Sequence, residues 1–262
     1  MHPILFSLGD FQLRSYGAFA VVMCVVCGLY VFRYRGELGL TGGRLFDLML
    51  AIVGVGVIGG RLGAALLYSS GGGWRDALLN SGFSSFHGAW GCLVGLLVFC
   101  RVTGTRPLAL LDYFGISVPL GHAFGRFGCF LSGCCYGKPT GLPWGVRFPS
   151  GDRLPDQLVG VPIHPTQLYE AAMDLLIAGA LHVWLRRRVA RGMPADGTVF
   201  PWYVIAYGVG RFALDPLRGD DPGRLAGVLT TAQLMAAAQI LVAVLWAAWL
   251  GRRNKIVIAH NV

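Results

Sequence analysis

From Ser15 to Phe32 the chain carries no charged side chain. Six more apolar runs follow: Leu45 to Tyr68, Gly88 to Val102, Leu108 to about Phe124, Pro165 to Leu185, Val199 to Leu214 and Leu229 to Leu250. Each is close to the roughly 20 residues a helix needs to cross the hydrocarbon core of a bilayer. Lipid offers no partner to an open backbone N–H or C=O, so such runs are expected as helices, whose hydrogen bonds close within the segment. Only 13% of the 262 residues are charged, against about 25% in soluble domains. A chain so poor in charge cannot cover a water-facing surface of its own size. The expectation is an all-α, polytopic membrane protein with about seven transmembrane helices. It is read as a single integral membrane domain over residues 1–262, with a loop-rich segment around 125–164. Span four is expected to be interrupted by Pro119 and to give way to a polar, Gly- and Pro-rich segment at Gly125. Arg33 and Arg35 follow the first run and no small-residue cleavage site does, so that run is expected to stay as a span.

The net charge of +9 fits a membrane protein biased by the positive-inside rule and also fits attraction to anionic lipid. With no soluble basic domain to carry it, nucleic-acid binding is not expected. Alternate short loops and the C-terminal tail hold Arg33, Arg35 and Arg44, then Arg101 and Arg106, then Arg186, Arg187, Arg188 and Arg191, then Arg252, Arg253 and Lys255. The opposite side holds Arg14, Arg75, Arg126, Lys138, Arg147, Arg153, Arg218 and Arg224, spread over much more loop. The expected topology has the N-terminus outside and the C-terminus in the cytoplasm. Arg126, Arg147 and Arg153 then lie on an external segment, against the bias, and require a reason other than topology.

An arginine inside a span costs about 2.5–3.5 kcal/mol on insertion scales, so it usually has a function. Arg61 sits in Gly59-Gly60-Arg61-Leu62-Gly63, and the Gly-rich stretch from Gly54 to Gly63 reads as close helix packing or lipid access. Arg126 lies in Gly125-Arg126-Phe127-Gly128. Tyr207, Arg211 and Asp215 recur every four residues and share a helix face, with Arg218 at its external end. Arginines gathered at one outer-leaflet site suit a phosphodiester, because guanidinium binds phosphate oxygens bidentately and keeps its charge in apolar surroundings. Anion channels also use rings of arginine, although no internal repeat of the transporter kind is evident. His87 opens span three, and His164 begins His164-Pro165-Thr166-Gln167-Leu168-Tyr169-Glu170, whose Glu170 is an intramembrane acid in need of a partner. His122 reads equally well as a packed residue of span four.

Taken in order, Tyr16-Gly17, the Gly59–Gly63 motif, Phe86-His87-Gly88, Gly125-Arg126-Phe127-Gly128, the segment from His164 to Glu170, and Tyr207-Gly208 with Arg211, Asp215 and Arg218 resemble the prolipoprotein diacylglyceryl transferase family over nearly the whole chain. The resemblance implies transfer of the diacylglyceryl group of phosphatidylglycerol to the lipobox cysteine of a bacterial prelipoprotein, in the bacterial cytoplasmic (inner) membrane. The partners it implies are phosphatidylglycerol, the prelipoprotein signal peptide and membrane lipid. It implies catalytic roles for His87, Arg126 and Arg211, and substrate binding by Tyr16, Arg61, Gly137, Tyr207, Asp215 and Arg218. It implies no cofactor and no metal.

Three positions depart from the family's pattern. Cys129 stands where an Asn is usual, Cys134 where a Glu is usual, and Asp215 where a Glu is usual. They leave two other readings standing: a related phospholipid-linked transfer, and a non-enzymatic anion or lipid transporter. The cluster of Cys129, Cys134 and Cys135 is open to four interpretations: an external disulfide, a metal site completed by His122 or His164, a reactive thiol, or packing. Cys24, Cys27, Cys92 and Cys100 lie in apolar runs and read as small core hydrophobes.

Overall fold

A computed structural model describes residues 4–9, 11–68, 78, 83–149, 154–220, 224–225 and 228–260. Arg75 and Arg153, two of the arginines counted for topology, lie outside the described residues. Among the described residues there are seven α-helices: α1 (Ser15–Arg33), α2 (Gly42–Tyr68), α3 (Ser85–Thr103), α4 (Pro107–Ser132), α5 (Thr166–Ala190), α6 (Val199–Leu214) and α7 (Thr231–His260). Each grows from one of the seven apolar runs. By length and composition, α1, α2, α5 and α7 are long and apolar enough to cross a membrane, and His87–Thr103 of α3 is a shorter apolar helix. Exposure is inverted relative to a soluble protein. Leu29, Leu50, Leu66, Leu176 and Leu241 face outward, whereas Asp112, Ser117, Gln167, Glu170 and Asp174 are completely buried. Lipid accepts the first group at no cost, and only protein can satisfy the second.

The chain divides into two compact units, Tyr30–Leu110 and the remainder, Met1–Leu29 with Leu111–Val262. In the Tyr30–Leu110 unit, α2 packs along α3 through glycine. A Cβ on Gly91 would stand 2.5 Å from the Val55 carbonyl oxygen, one on Gly95 2.5 Å from that of Ala51, and one on Gly59 2.9 Å from that of His87. The Gly-rich stretch of span two is therefore a close-packing face: small residues let two backbones touch where lipid supplies no hydrophobic drive.

The larger unit corrects the reading of span four. Helix α4 runs through Pro119 to Ser132, so Arg126 is helical and the irregular segment begins at Gly133, not Gly125. A proline removes one hydrogen bond, but in membrane helices local adjustment and neighbours re-satisfy the freed carbonyl. The glycines that looked like a helix end are a packing stripe instead. Gly121, Gly125 and Gly128 face α1, where added Cβ atoms would meet Cys27 and Met23, Met23, and Phe19 respectively.

Asp112, near the start of α4, fixes the entry to α6. Its carboxylate accepts hydrogen bonds from the backbone N–H groups of Asp196 and Gly197 in the approach to the helix and of Val199 and Phe200 in its first turn, the last two being orphan donors of a helix N-terminus. The segment after α4 has a small core of its own, Phe148, Leu154 and Ile163, with Phe130, Tyr136 and Val146 packed against it. Within it, β3 (Val146–Arg147) pairs antiparallel with β4 (Pro162–Ile163). An N-terminal hairpin, β1 (Ile4–Leu8) with β2 (Phe11–Arg14), was not expected from the sequence; it turns at Gly9, whose φ is +56°.

Candidate active site

The larger unit brings most of the expected site residues together. On α4, His122 and Arg126 are one helical turn apart and face α5. On α5, Glu170 and Asp174 are likewise one turn apart. The two pairs meet rung by rung. Asp174 Oδ2 lies 2.8 Å from His122 Nδ1, and Glu170 forms an ion pair with Arg126. The other oxygen of Glu170 accepts a hydrogen bond from Arg218 at 2.6 Å, so one buried carboxylate serves two guanidiniums. Arg218 also engages Asp220 in a two-pronged contact. Burial works against the charge on Arg218, but Glu170 and then Cys135 and Asp220 outweigh it, so its pKa is raised. Asp220 titrates above its ordinary value because burial outweighs the pull of Arg218.

Helix α6 supplies the third arginine. Arg211 pairs with Asp215 at 2.6 Å, one turn on, and Asp215 accepts a further hydrogen bond from the Thr230 hydroxyl. Asp215 therefore works first as the anchor of Arg211. Tyr207, on the same face, lies within electrostatic reach of Arg126, Glu170, Asp174 and Arg211, and its ring stands edge-on to His122 with centroids 5.7 Å apart. Arg126 and Arg211 are thus assembled around one tyrosine. Arg126 remains only 11% exposed, and its Nε is a buried donor without a hydrogen-bond acceptor.

Gly137 is needed where three strands of chain meet. It forms a bridge with Arg218, its carbonyl oxygen comes within 2.8 Å of a Cβ placed on Gly219, and a Cβ of its own would collide with His164. Hydrogen bonds from Lys138 N to Leu217 O, Gly219 N to Tyr136 O and His164 N to Lys138 O lock this junction. The cations that stood against the charge bias of the loops have partners within the fold. Arg126 and Arg218 hold Glu170, Arg147 donates to the Gly160 carbonyl and Lys138 to that of Pro216. Tyr16 lies over Gly128, with its Cα 3.4 Å from where a Cβ would be, and is 46% exposed.

His87 and Arg61 belong to the Tyr30–Leu110 unit. His87 packs its ring on Gly63 of α2, and its Nδ1 lies 2.8 Å from the Ser84 hydroxyl, which orients the imidazole. Arg61 is exposed and reaches the Leu78 carbonyl at 3.5 Å. All seven cysteines are present as thiols. Cys129, Cys134 and Cys135 bring their sulfur atoms within 4.8 Å of one another, and neither His122 nor His164 joins them. Sequence reasoning passed over Asp174 and left His122 as packing. The signal was there in the matched four-residue spacing of His122 with Arg126 and of Glu170 with Asp174, which lets two helices pair base to acid twice.

The model of the family described as prolipoprotein diacylglyceryl transferase matches residues 3–249. The phosphatidylglycerol–prolipoprotein diacylglyceryl transferase of Clostridium tetani is 33% identical over 253 residues, covering 93% of this chain and 96% of the relative. That of Methylococcus capsulatus is 34% identical over 267 residues, covering 96% and 97%. That of an Azoarcus species is 34% identical over 260 residues, covering 92% and 91%. Matched almost from end to end, this multi-pass membrane chain belongs to the prolipoprotein diacylglyceryl transferase family.

Proposed function

We propose that the chain is a membrane transferase that moves the diacylglyceryl group of phosphatidylglycerol to the lipobox cysteine thiol of a prelipoprotein, forming a thioether and releasing glycerol phosphate. The observation that carries this reading is the grouping of Arg126, Arg211 and Arg218 beside Tyr207 and Glu170, with Arg126 Nε buried and without an acceptor. A phospholipid phosphate supplies the acceptor. The attacked glycerol carbon bears the phosphate ester, so breaking its C–O bond leaves charge on the departing oxygens. Fixed guanidiniums in a dry site stabilise that charge as it develops. Arg126 and Arg211 hold the phosphate, Glu170 and Asp215 fix their planes, and Tyr16 and Tyr207 line the site. A thiol with a pKa near 8.5 is only a few per cent ionised at neutral pH, so a base is required. His87 takes that role, with its Nδ1 held at the Ser84 hydroxyl.

The charge bias of the loops supports a topology with the N-terminus outside and the C-terminus in the cytoplasm, which puts the arginines at the outer leaflet of the bacterial cytoplasmic membrane. Purified protein given labelled phosphatidylglycerol and a lipobox peptide is expected to label the peptide. His87→Ala, Arg126→Ala and Arg211→Ala are each expected to abolish labelling while the protein stays in the membrane. Wild-type activity in those variants overturns the assignment.

A further inference from the structure

The chain's clearest departure from the family's pattern is also its tightest unexplained cluster. Cys129 lies in the last turn of α4, and the chain then reverses through two left-handed residues, Gly133 at φ +72° and Cys135 at φ +60°. Cys135 is the one non-glycine residue with positive φ among the described residues. A side chain there costs energy that a glycine would not, and such strain is kept where the surroundings enforce it. The result is that residues five and six positions after Cys129 bring their thiols back to it. The fold supports the loop from behind: Cys134 N donates to the Cys129 carbonyl, the fully buried Thr166 hydroxyl donates to the Cys135 carbonyl and the fully buried Gln167 amide to that of Cys134. Arg126 and Arg218 lie within electrostatic reach of Cys135, and Tyr16 within reach of all three sulfurs.

We propose that Cys129, Cys134 and Cys135 bind one thiophilic cation, zinc being the expected occupant, through three thiolates, and that its fourth coordination position takes the thiol of the incoming substrate. This deepens the transferase reading and rests on it for the identity of the fourth ligand. Tetrahedral zinc with Zn–S bonds of about 2.3 Å sets its sulfurs about 3.8 Å apart, so three sulfurs already within 4.8 Å of one another are near the spacing that a bound cation sets. Among the described residues no fourth His, Cys or carboxylate joins them. Three protein ligands with one position open is the arrangement of reactive rather than structural zinc. A zinc tris-thiolate carries one negative charge, and Arg126 and Arg218 lie within electrostatic reach of it through Cys135.

The chemistry balances without an oxidant. Binding zinc releases the three thiol protons to solvent. The substrate thiol gives up its proton to the base as its sulfur takes the fourth position. That sulfur then forms the bond to the glycerol carbon while the C–O bond to phosphate breaks, and glycerol phosphate leaves with the electron pair. The thioether product is a far weaker ligand and departs. In this chain the cation therefore joins the base in readying the sulfur, held in part by Cys129 and Cys134, where the family's pattern has an Asn and a Glu.

The test uses the full chain, reduced, in lipid nanodiscs. Metal analysis after zinc loading and dialysis is expected to give one zinc per chain. Cobalt in its place is expected to show thiolate-to-metal charge transfer and tetrahedral d–d bands. Cys129→Ser and Cys135→Ser are expected to weaken cobalt binding at least tenfold, whereas Cys24→Ser, outside the cluster, leaves it unchanged. A lipobox peptide is expected to shift the cobalt bands, and the same peptide with serine for cysteine to leave them as they were. Substoichiometric metal in the wild-type protein overturns the proposal, as does binding indifferent to the cluster cysteines. So does a mass two hydrogens lower without reduction, which assigns a disulfide, or a cobalt spectrum blind to the cysteine peptide. If cobalt binds and senses the thiol but no labelled diacylglyceryl is transferred, the site stands and the transferase reading fails.

Discussion

Helices α2 and α3 are joined by an absence of side chains, whereas α4 and α5 are joined at the tips of long ones. Between α2 and α3, glycines bring backbone against backbone, with Val55, Ala51 and His87 carbonyls set where Cβ atoms would otherwise stand. Between α4 and α5, a histidine and an arginine reach across to two fully buried acids. In lipid both solutions hold helices together, but they fail differently. The glycine pair tolerates no added atoms. The charged pair tolerates no missing ones, because deleting one partner leaves the other ionised in a medium that cannot solvate it.

Breaking the charged pair at its shared acid is expected to have the largest effect. Glu170→Ala leaves Arg126 and Arg218 without their common counter-ion and is expected to destabilise the protein by about 3–5 kcal/mol, read as loss of the folded fraction in a denaturant titration in detergent. Crowding the glycine pair comes next. Gly91→Ala drives a Cβ into the Val55 carbonyl and is expected to cost about 1–3 kcal/mol; an unchanged melting temperature would mean that the two helices separate freely. Asp112→Asn keeps the shape but removes the charge that gathers four backbone donors. It is expected to cost about 1–2 kcal/mol, with hydrogen exchange rising at Val199 and Phe200 before it rises elsewhere. Smallest of all, Asp220→Asn loosens a pair whose acid is partly exposed while Glu170 still holds Arg218, and is expected to cost about 0.2–1 kcal/mol. Its effect shrinks in high salt, whereas that of Glu170→Ala does not.

The same contrast explains what the sequence disclosed. Apolar length alone located all seven helices, because lipid enforces helix on any such run. Glycine was ambiguous. In span two its abundance was read as close packing or lipid access, and the contacts of Gly56 and Gly59 with α3 favour packing, but at Gly125 and Gly128 the same residue was read as the end of a helix. Nothing local distinguishes a glycine that breaks a helix from one that receives a neighbour; Phe19 and Met23 on α1 decide it. Arginine stood out in the sequence by its cost in a span. Its partners did not, because Glu170 and Asp174 are on another helix and only matched spacing linked them to Arg126 and His122. Asp112 was silent, since a single acid near the start of a span gives no sign of the four N–H groups that converge on it.

The split ownership of the Arg126–Glu170 pair bears on how the protein is made. Chains enter the bilayer from the N-terminal end, so α4 emerges carrying a cation whose counter-ion has not yet been translated. Releasing that helix alone into lipid would cost about 2.5–3.5 kcal/mol. The insertion machinery is therefore expected to retain α4 until α5 arrives and to deliver the two helices laterally as a hairpin in which Arg126 already has its counter-ion.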